Sequence, residues 1–276
     1  MNELLRVQNL TVTPANNPTK KLVNNVSFTL QSGKTTCIVG ESGSGKSLTA
    51  LSVMGLLANS LTRTAGIIQF QVNELTGLTN TELSHIRGKQ IGMIFQEPMT
   101  SLNPVLTVGF QIGESLTVHL GLKGTALKDK IAALLTQVGI SPERANAYPD
   151  ELSGGQRQRV MIAMSIACEP KMLIADEPTT ALDVTVQAQI LALLDELKTR
   201  MNMGMLFITH DFGVVADIAD DVVVMFRGEI VEAGTVADVL GNPQHPYTKA
   251  LLDCVPDAEG KKQLKPIDYS WLEQAA

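Results

Sequence analysis

Cysteine is scarce in this sequence of 276 residues, which contains three cysteines. Cys37, Cys168 and Cys254 are far apart, and none of them belongs to a C-x-x-C pair. Disulfide frameworks and zinc sites are built from paired cysteines, so neither is predicted. We interpret the three side chains as small hydrophobic groups in a reducing compartment.

An excess of basic residues and a long apolar run are also absent. The formal net charge of -6 gives no support to a nucleic-acid partner, which normally requires a basic surface. No stretch approaches the roughly 18 to 20 apolar residues that span a bilayer, and the first residues lack the basic head and apolar segment of a signal peptide. We therefore expect a cytoplasmic, soluble chain without a nucleic-acid partner, which can still dock on a membrane protein.

A glycine-rich loop, residues 40–47, is the strongest local signal, and we call it the P-loop. An apolar run at 36–39 predicts a strand before it, and helical apolar spacing at 48–57 predicts a helix after it. In this context the glycines let backbone N–H groups approach a phosphate chain, while Lys46 reaches the β- and γ-phosphates and the Ser47 hydroxyl ligates Mg²⁺. The alternative, a turn with an incidental lysine, does not account for both flanking elements. The loop reads Gly40-Glu41-Ser42-Gly43-Ser44-Gly45-Lys46-Ser47.

Two carboxylates follow a second apolar run, at 172–175. In proteins with a P-loop, the first carboxylate after such a strand holds Mg²⁺, which makes Asp176 the candidate on the metal side. Glu177 is then placed to orient and deprotonate a water that attacks the γ-phosphate. The alternative is a strand that runs into an acidic turn.

The pentapeptide Leu152-Ser153-Gly154-Gly155-Gln156 precedes a long helical pattern. Ser153 is a good N-cap residue, and Gly154 and Gly155 leave backbone N–H groups exposed at the start of the helix. A helix N-terminus of this kind favours an anion, so the chain has a second phosphate-seeking end. The alternative is a flexible loop that caps a helix.

The chain has 44% hydrophobic and 18% charged residues, which is ordinary for a globular protein, and it is long enough for one large or two small domains. Its apolar patterns predict an α/β fold. An antiparallel β start is followed by strands that suit a buried parallel sheet, and a helical segment is inserted between about 97 and 167. The tail from Thr235 is predicted to hold short helices broken at Pro243, Pro246 and Pro256, with the last twenty residues partly loose. Strands are predicted at 4–12, 26–30, 66–72, 91–95, 172–175 and 205–208, with a hairpin at 222–226 and 229–233; helices are predicted around 127–138, 163–167 and 186–201.

In their order, these motifs resemble the nucleotide-binding subunit of ABC transporters. Gln96 resembles the family's glutamine loop, residues 181–183 its D-loop and His210 its switch histidine. The resemblance implies a P-loop (RecA-like) core with an N-terminal antiparallel β subdomain and an inserted helical subdomain. The expected domains are an ABC ATPase domain over 1–250 and a C-terminal tail over 251–276.

The resemblance also implies roles for single residues. Gln96 contacts Mg²⁺ and water and links to the membrane subunits, and Asp183 and His210 lie near the nucleotide. Read alone, Gln96 is a surface loop residue, Asp183 a helix N-cap and His210 a structural histidine at a strand end. The implied catalytic residues are Glu177, His210 and Gln96; the implied Mg²⁺ ligands are Ser47, Gln96 and Asp176; the implied ATP-binding residues are Gly40, Ser42, Gly43, Ser44, Gly45, Lys46, Ser47, Ser153, Gly154, Gly155, Gln156 and Asp183.

Two further stretches, 95–104 and 245–252, resemble the ATPases of oligopeptide, dipeptide and nickel importers. Two departures stand out. Pro14 occupies the position of an aromatic residue that stacks on adenine in many of these ATPases, which leaves the adenine contact open. The peptide importers in this group often continue into a Cys-rich C-terminal extension that binds an iron–sulfur cluster. No cysteine follows Cys254 here, so the resemblance implies no cluster and leans toward the shorter nickel or metallophore branch.

The resemblance implies ATP hydrolysis that powers uptake of small peptides or chelated metal. The implied partners are a second cassette, the same or paralogous, two transmembrane permease subunits and an extracytoplasmic substrate-binding protein. The two cassettes pair head to tail, with Ser153 and Gly155 of one closing on the γ-phosphate held by the P-loop of the other. The expected location is peripheral, on the cytoplasmic face of the plasma (inner) membrane.

Three other functions are less consistent with the sequence. A soluble ABC-type ATPase of translation or repair tends to carry two cassettes or a long coiled coil, and neither is visible here. An intact Glu177 argues against a nucleotide-gated regulatory module without turnover. A GTPase needs the N-K-x-D guanine motif, which the sequence lacks.

Overall fold

The computed structural model describes residues 3–96, 101–180 and 182–254. The chain divides into two compact units, the first made of 3–76 with 207–254 and the second of 77–206. The strands described are β1 Glu3–Pro14, β2 Val23–Gln31, β3 Thr35–Val39, β4 Leu61–Phe70, β5 Asn73–Glu74, β6 Ile91–Ile94, β7 Met172–Asp176, β8 Gly204–Thr209, β9 Asp221–Phe226 and β10 Glu229–Thr235. The α-helices described are α1 Lys46–Met54, α2 Asn80–Ser84, α3 Val108–Leu120, α4 Gly124–Gln137, α5 Gly154–Ile166, α6 Val184–Met201, α7 Phe212–Ile218, α8 Val236–Gly241 and α9 Pro246–Asp253.

The first unit opens with an antiparallel sheet in the order β2-β1-β4-β5. Along β2, Val26, Phe28 and Leu30 are buried and alternate with more exposed residues. This period of two places every second side chain on one buried face, as in a half-solvated antiparallel sheet. The predicted antiparallel β start is confirmed.

The same unit contains the strand that leads into the P-loop. All five residues of β3 are buried, and β3 pairs in parallel with β9, which forms an antiparallel hairpin with β10. A strand buried on both faces reads as a continuous apolar run, which is the pattern at 36–39. The hairpin predicted across Arg227 and Gly228 is present.

The second unit contains two parallel strands and the long helices. β6 pairs with β7 from Ile91 opposite Met172 to Ile94 opposite Ala175. The buried face of α4 carries Ile131, Leu134 and Leu135, three residues of the predicted helical pattern. The helices α3, α4 and α5 lie within the range predicted for the helical subdomain, whose boundaries at about 97 and 167 stay a prediction.

Several element boundaries differ from the sequence predictions for local reasons. α1 ends at Met54 because Gly55 adopts a left-handed conformation with φ of 61°. β4 ends at Phe70, and Val72, predicted to lie in this strand, is 93% exposed.

The predicted short helices, broken at Pro243 and Pro246, are present, since α8 ends at Gly241 and α9 begins at Pro246. Pro246 is the first residue of α9, where proline is favoured because its missing N–H would have no partner within the helix. The other predictions for the tail beyond Cys254 lie outside the described residues. Within the residues described, the structure has no helix with the length and apolarity needed to cross a membrane.

Candidate functional site

The P-loop of the first unit connects β3 to α1 and has a backbone that only glycine tolerates well. Gly43 and Gly45 have φ of 81° and 102°, in the region that L-residues with a Cβ avoid. At Gly40 the constraint is space, because a Cβ there would lie 2.2 Å from the carbonyl oxygen of Met225. The start of the loop is therefore packed tightly against the end of β9.

Lys46 is the first residue of α1, and its side chain is buried, with 4% exposed. Its ammonium Nζ donates to the carbonyl oxygens of Gly40 at 2.8 Å and Glu41 at 2.9 Å. A buried cation needs such partners, because desolvation is costly. The lysine head group is thus held over the first residues of the loop.

The N-terminus of α1 has the properties of an anion site. Gly45 is its N-cap and supplies no side-chain hydrogen bond. Ser47 is the second residue of the helix, and the buried Ser44 Oγ has no hydrogen-bond partner among the described residues. The first N–H groups of a helix lack intrahelical partners and favour a phosphate.

In the second unit, two side chains predicted to act together lie at the ends of neighbouring strands. Gln96 follows β6, and Glu177 follows β7. Because parallel strands place their carboxyl ends at one edge, the Gln96 amide Nε2 reaches Glu177 Oε2 and donates to it at 3.2 Å. Asp176 is the last residue of β7 and is 5% exposed.

Glu177 has an unusual backbone conformation, with φ of 47°. A non-glycine residue in the left-handed region is uncommon and is often found at functional sites. Its Oε2 also accepts a hydrogen bond from Thr180 Oγ1 at 3.0 Å. Sequence reasoning missed Thr180, although a hydroxyl three residues after a carboxylate in a turn is a detectable signal.

The pentapeptide 152–156, which we call the signature, forms a capping box at the start of α5. Ser153 Oγ accepts from the Gln156 N–H at 3.3 Å, and Gln156 Oε1 accepts from the Ser153 N–H at 3.0 Å. The predicted N-cap is confirmed. The reciprocal bond made by Gln156 is typical of a capping box and fixes the entry of the chain into the helix.

The two signature glycines differ in their surroundings. A Cβ on Gly155 would lie 2.8 Å from Cγ1 of Val186 in α6, whereas a Cβ on Gly154 would meet nothing within 4 Å. A side chain on Gly155 would therefore crowd Val186, in addition to affecting any contact with phosphate. The sequence contains no signal for this contact, because it joins two separate helices.

Asp183 and His210 occupy different settings. Asp183 Oδ1 accepts from the Val186 N–H at 2.9 Å and is the N-cap of α6, which agrees with the simpler of the two interpretations. His210 belongs to the first unit, directly follows β8 and is exposed. The roles of both residues toward a nucleotide stay predictions.

Together, the strand, glycine loop and helix with its buried lysine define a P-loop nucleotide-binding protein. The family model for ABC transporter matches residues 23–180, and the model for the oligopeptide/dipeptide transporter C-terminal region matches residues 231–273. The chain belongs to the ABC transporter family, and within it to the oligopeptide and dipeptide transporter group. It is an ATP-binding cassette of the ATPase class, as the sequence predicted.

Two relatives illustrate the similarity. The dipeptide transport ATP-binding protein DppD of Bacillus subtilis is 50% identical over 274 residues, which cover 97% of this chain and 82% of that protein. The glutathione import ATP-binding protein GsiA of Shigella dysenteriae is 50% identical over 279 residues, which cover 96% of this chain. The chain spans 44% of the length of that second relative.

Solved structures support the fold class. The ATP-binding cassette MJ0796, solved as a dimer bound to ADP and phosphate in a post-hydrolysis state, matches with a TM-score of 0.76 and 27% identity over 84% of this chain and 99% of that chain. CbiO1 from Clostridium perfringens matches with a TM-score of 0.76 and 26% identity over 88% of this chain and 92% of that chain. The predicted fold, a P-loop core with an antiparallel β part and a helical part, is confirmed.

Proposed function

We propose that this chain hydrolyses ATP to power the import of small peptides through separate membrane subunits. The observation that carries the proposal is the hydrogen bond between Gln96 and Glu177 in a family whose members bind ATP. This hydrogen bond joins Glu177, the proposed catalytic base, to Gln96 at the end of the neighbouring strand. Glu177 would carry out hydrolysis, and Gln96 would couple hydrolysis to the membrane subunits.

Glu177 is the proposed general base. Its carboxylate takes a proton from a water as the water oxygen bonds to the γ-phosphorus, the bond from that phosphorus to the bridging oxygen breaks, and ADP leaves. Hydrogen bonds from Gln96 and Thr180 to Oε2 hold the carboxylate in one orientation. His210 is proposed to lie near the γ-phosphate during this step.

Mg²⁺ is the proposed metal. Ser47, Asp176 and Gln96 would hold it, and their hydroxyl, carboxylate and amide oxygens are the hard ligands that Mg²⁺ prefers. Sites for Mg²⁺ with a nucleotide use few protein ligands, because phosphates and water supply the rest. When bound, the ion would neutralise charge on the phosphates.

A second cassette is the proposed partner for closing the site. Ser153 and Gly155 stand at the N-terminus of α5, which favours an anion, and Ser44 and Lys46 stand at the N-terminus of α1. We propose that the signature of one subunit closes on the nucleotide held by the P-loop of the other. The partner is the same chain or a paralogue.

Two permease subunits and an extracytoplasmic binding protein complete the proposed importer, which places this chain peripherally on the cytoplasmic face of the membrane. The cargo is proposed from the relatives, whose names specify glutathione import and dipeptide transport. Glutathione and dipeptides are both small peptides. These names favour a peptide cargo over nickel, the cargo suggested by the absence of cysteines after Cys254.

ATP-driven uptake into vesicles tests this function. Right-side-out vesicles that enclose ATP would carry this chain with its membrane subunits, with the binding protein on the outside, and would be given external labelled dipeptide, labelled glutathione or Ni²⁺. We expect uptake of a peptide that stops when Glu177→Gln replaces the wild-type chain. Uptake of Ni²⁺ alone would overturn the proposed cargo, and ATP hydrolysis without uptake of any of the three would overturn the transport function.

A further inference from the structure

Tyr247, in the C-terminal region, is buried beside the P-loop. It is the second residue of α9 and has 0% of its surface exposed. Its ring packs against Phe226, the last residue of β9, with centroids 4.3 Å apart and planes tilted by 41°. A buried tyrosine hydroxyl needs a hydrogen-bond partner, and the fixed ring determines where that partner must lie.

The partner of the hydroxyl is Glu41, the second residue of the P-loop. The Glu41 backbone N–H donates to Tyr247 Oη at 3.0 Å, and the hydroxyl can donate to Glu41 Oε2 at 3.4 Å. The two residues are 206 positions apart in the sequence. The C-terminal region therefore makes a direct polar contact with the phosphate-binding loop.

This contact acts on the peptide unit that also holds Lys46. The N–H of Glu41 and the C=O of Gly40 belong to one planar peptide group, so the direction of one determines the direction of the other. The N–H bonds to Tyr247, and the C=O accepts from Lys46 Nζ at 2.8 Å. The Tyr247 hydroxyl thus orients the acceptor that holds the lysine ammonium.

Further contacts limit the freedom of this peptide group and of α9. Gly40 lies so close to Met225 that a Cβ would stand 2.2 Å from its carbonyl oxygen. At the start of α9, Glu232 accepts from the backbone N–H groups of Gln244 at 2.7 Å and His245 at 3.0 Å. His245 Nδ1 in turn accepts from the Tyr247 N–H at 3.1 Å.

We propose that Tyr247 is a positioning residue for nucleotide binding, which acts through the peptide between Gly40 and Glu41 on Lys46. The inference rests on the proposed function, since Lys46 is taken to contact the nucleotide phosphates. It makes ATP affinity depend on the C-terminal region matched by the oligopeptide/dipeptide transporter model.

Tyr247→Phe tests the proposal, because it removes the hydroxyl and keeps the ring. Titration calorimetry with Mg-ATP on the full chain is expected to show a Kd raised about three- to tenfold, the effect of about one lost hydrogen bond. The kcat at saturating ATP is expected to stay within about twofold, because the substitution leaves Glu177 and Gln96 intact. Tyr148→Phe, which removes the hydroxyl of a tyrosine that is 45% exposed, is the matched control and should leave Kd unchanged.

A double-mutant cycle separates positioning from general stability. In a Lys46→Met background, Tyr247→Phe should add no further loss of ATP affinity, because the residue through which it acts is gone. An equal loss in both backgrounds, or no loss in either, would overturn the proposal. Failure of the proposed hydrolysis would show instead as normal ATP binding by the wild-type chain without turnover.

Hydrogen exchange without nucleotide provides a second readout. Tyr247→Phe should speed exchange of the Glu41 amide, while amides of β3 keep their protection, because the removed hydroxyl accepts from the Glu41 N–H. Faster exchange throughout β3 would indicate general destabilisation and would contradict a positioning role. Unchanged exchange at Glu41 would contradict the hydrogen bond itself.

Discussion

Glu177 combines a strained backbone with a carboxylate held by two donors. Its φ of 47° places it in a region that costs a non-glycine residue roughly 1–3 kcal/mol. Gln96 and Thr180 both donate to Oε2, so the turn after β7 presents the side chain in a defined direction. Strain that is maintained at the proposed base is consistent with a catalytic requirement.

Glu177→Gln is therefore expected to abolish turnover and leave ATP binding near normal. The amide keeps the size of the side chain and an oxygen acceptor but cannot take a proton, so kcat should fall about 100-fold or more. Steady-state ATPase assays and calorimetry measure the two effects. Glu169→Gln is the control, since Glu169 is another glutamate with positive φ, 54°, in the same unit, and should keep kcat within about twofold. Near wild-type turnover in Glu177→Gln would refute the assigned base.

At the scale of elements, close contacts between helices and strands impose requirements at glycines. Gly92 in β6 faces α5, where a Cβ would lie 2.2 Å from the carbonyl oxygen of Ser165. Gly155 in α5 faces Val186 in α6 in the same way. These contacts join the strand that precedes Gln96, the signature helix and the helix capped by Asp183 into one packed group.

Gly155→Ala is expected to lower the free energy of unfolding by about 1–3 kcal/mol, because the new methyl group overlaps Val186. Gly154→Ala is the matched control, and we expect it to be neutral or up to about 1 kcal/mol more stable, as alanine favours a helix. Urea unfolding measures both. Adding Val186→Ala to Gly155→Ala should recover most of the lost unfolding free energy. Equal stability of Gly155→Ala and Gly154→Ala would show that the contact with Val186 does not constrain the helix.

A pH-dependent contact holds the start of α9. Burial alone would raise the pKa of Glu232, but hydrogen bonds to the carboxylate, including those from the backbone of Gln244 and His245, lower the pKa below its ordinary value. A group with a lowered folded pKa stabilises the protein above its unfolded pKa and loses that contribution as the pH falls through the folded value. The contribution of Glu232 should therefore be full near pH 7 and fade below about pH 4.5.

Glu232→Gln is expected to lower Tm at pH 7 by about 2–4 °C, the shift for about 1 kcal/mol in a protein of this size. The difference from wild type should shrink as the pH falls below about 4.5, because the protonated carboxyl resembles the amide. Circular dichroism during thermal unfolding measures this difference in Tm. Glu143→Gln, at an exposed glutamate, is the control, and a difference that stays constant with pH would contradict the assigned contact.

At the scale of the whole molecule, the chain is proposed to be half of a composite site. Both the P-loop and the signature present a helix N-terminus, and the proposed pairing brings those of two subunits to one nucleotide. A nucleotide that is bound by two chains and not hydrolysed stabilises the dimer by mass action. Hydrolysis removes this link between the subunits.

If the partner is a second copy, Glu177→Gln should form dimers with Mg-ATP at concentrations where the wild type is monomeric. Light scattering after size-exclusion chromatography measures the mass with and without ATP. Adding Ser153→Arg, which places a bulky side chain at the proposed contact, should return the variant to monomers. A Glu177→Gln chain that binds ATP and stays monomeric would exclude self-pairing and indicate a paralogous cassette.

The sequence by itself determined the parts of this protein that depend on local order. Strand, turn and helix signals act within about ten residues of one another. Signals of this range predicted the P-loop octet, the carboxylates at the end of β7 and the N-cap at Ser153. The continuous apolar runs also predicted the buried parallel strands. The prolines at 243 and 246 likewise indicated the break between α8 and α9, and Pro246 suits the first position of the second helix.

The tertiary structure alone decided which distant residues meet. Tyr247 bonds to Glu41 across 206 positions, and Gln96 bonds to Glu177 across 81. A Cβ on Gly155 would overlap Val186, a residue of another helix. Such contacts arise from strand order and helix packing, which bring together residues with no local pattern in common, so a single sequence carries no signal for them.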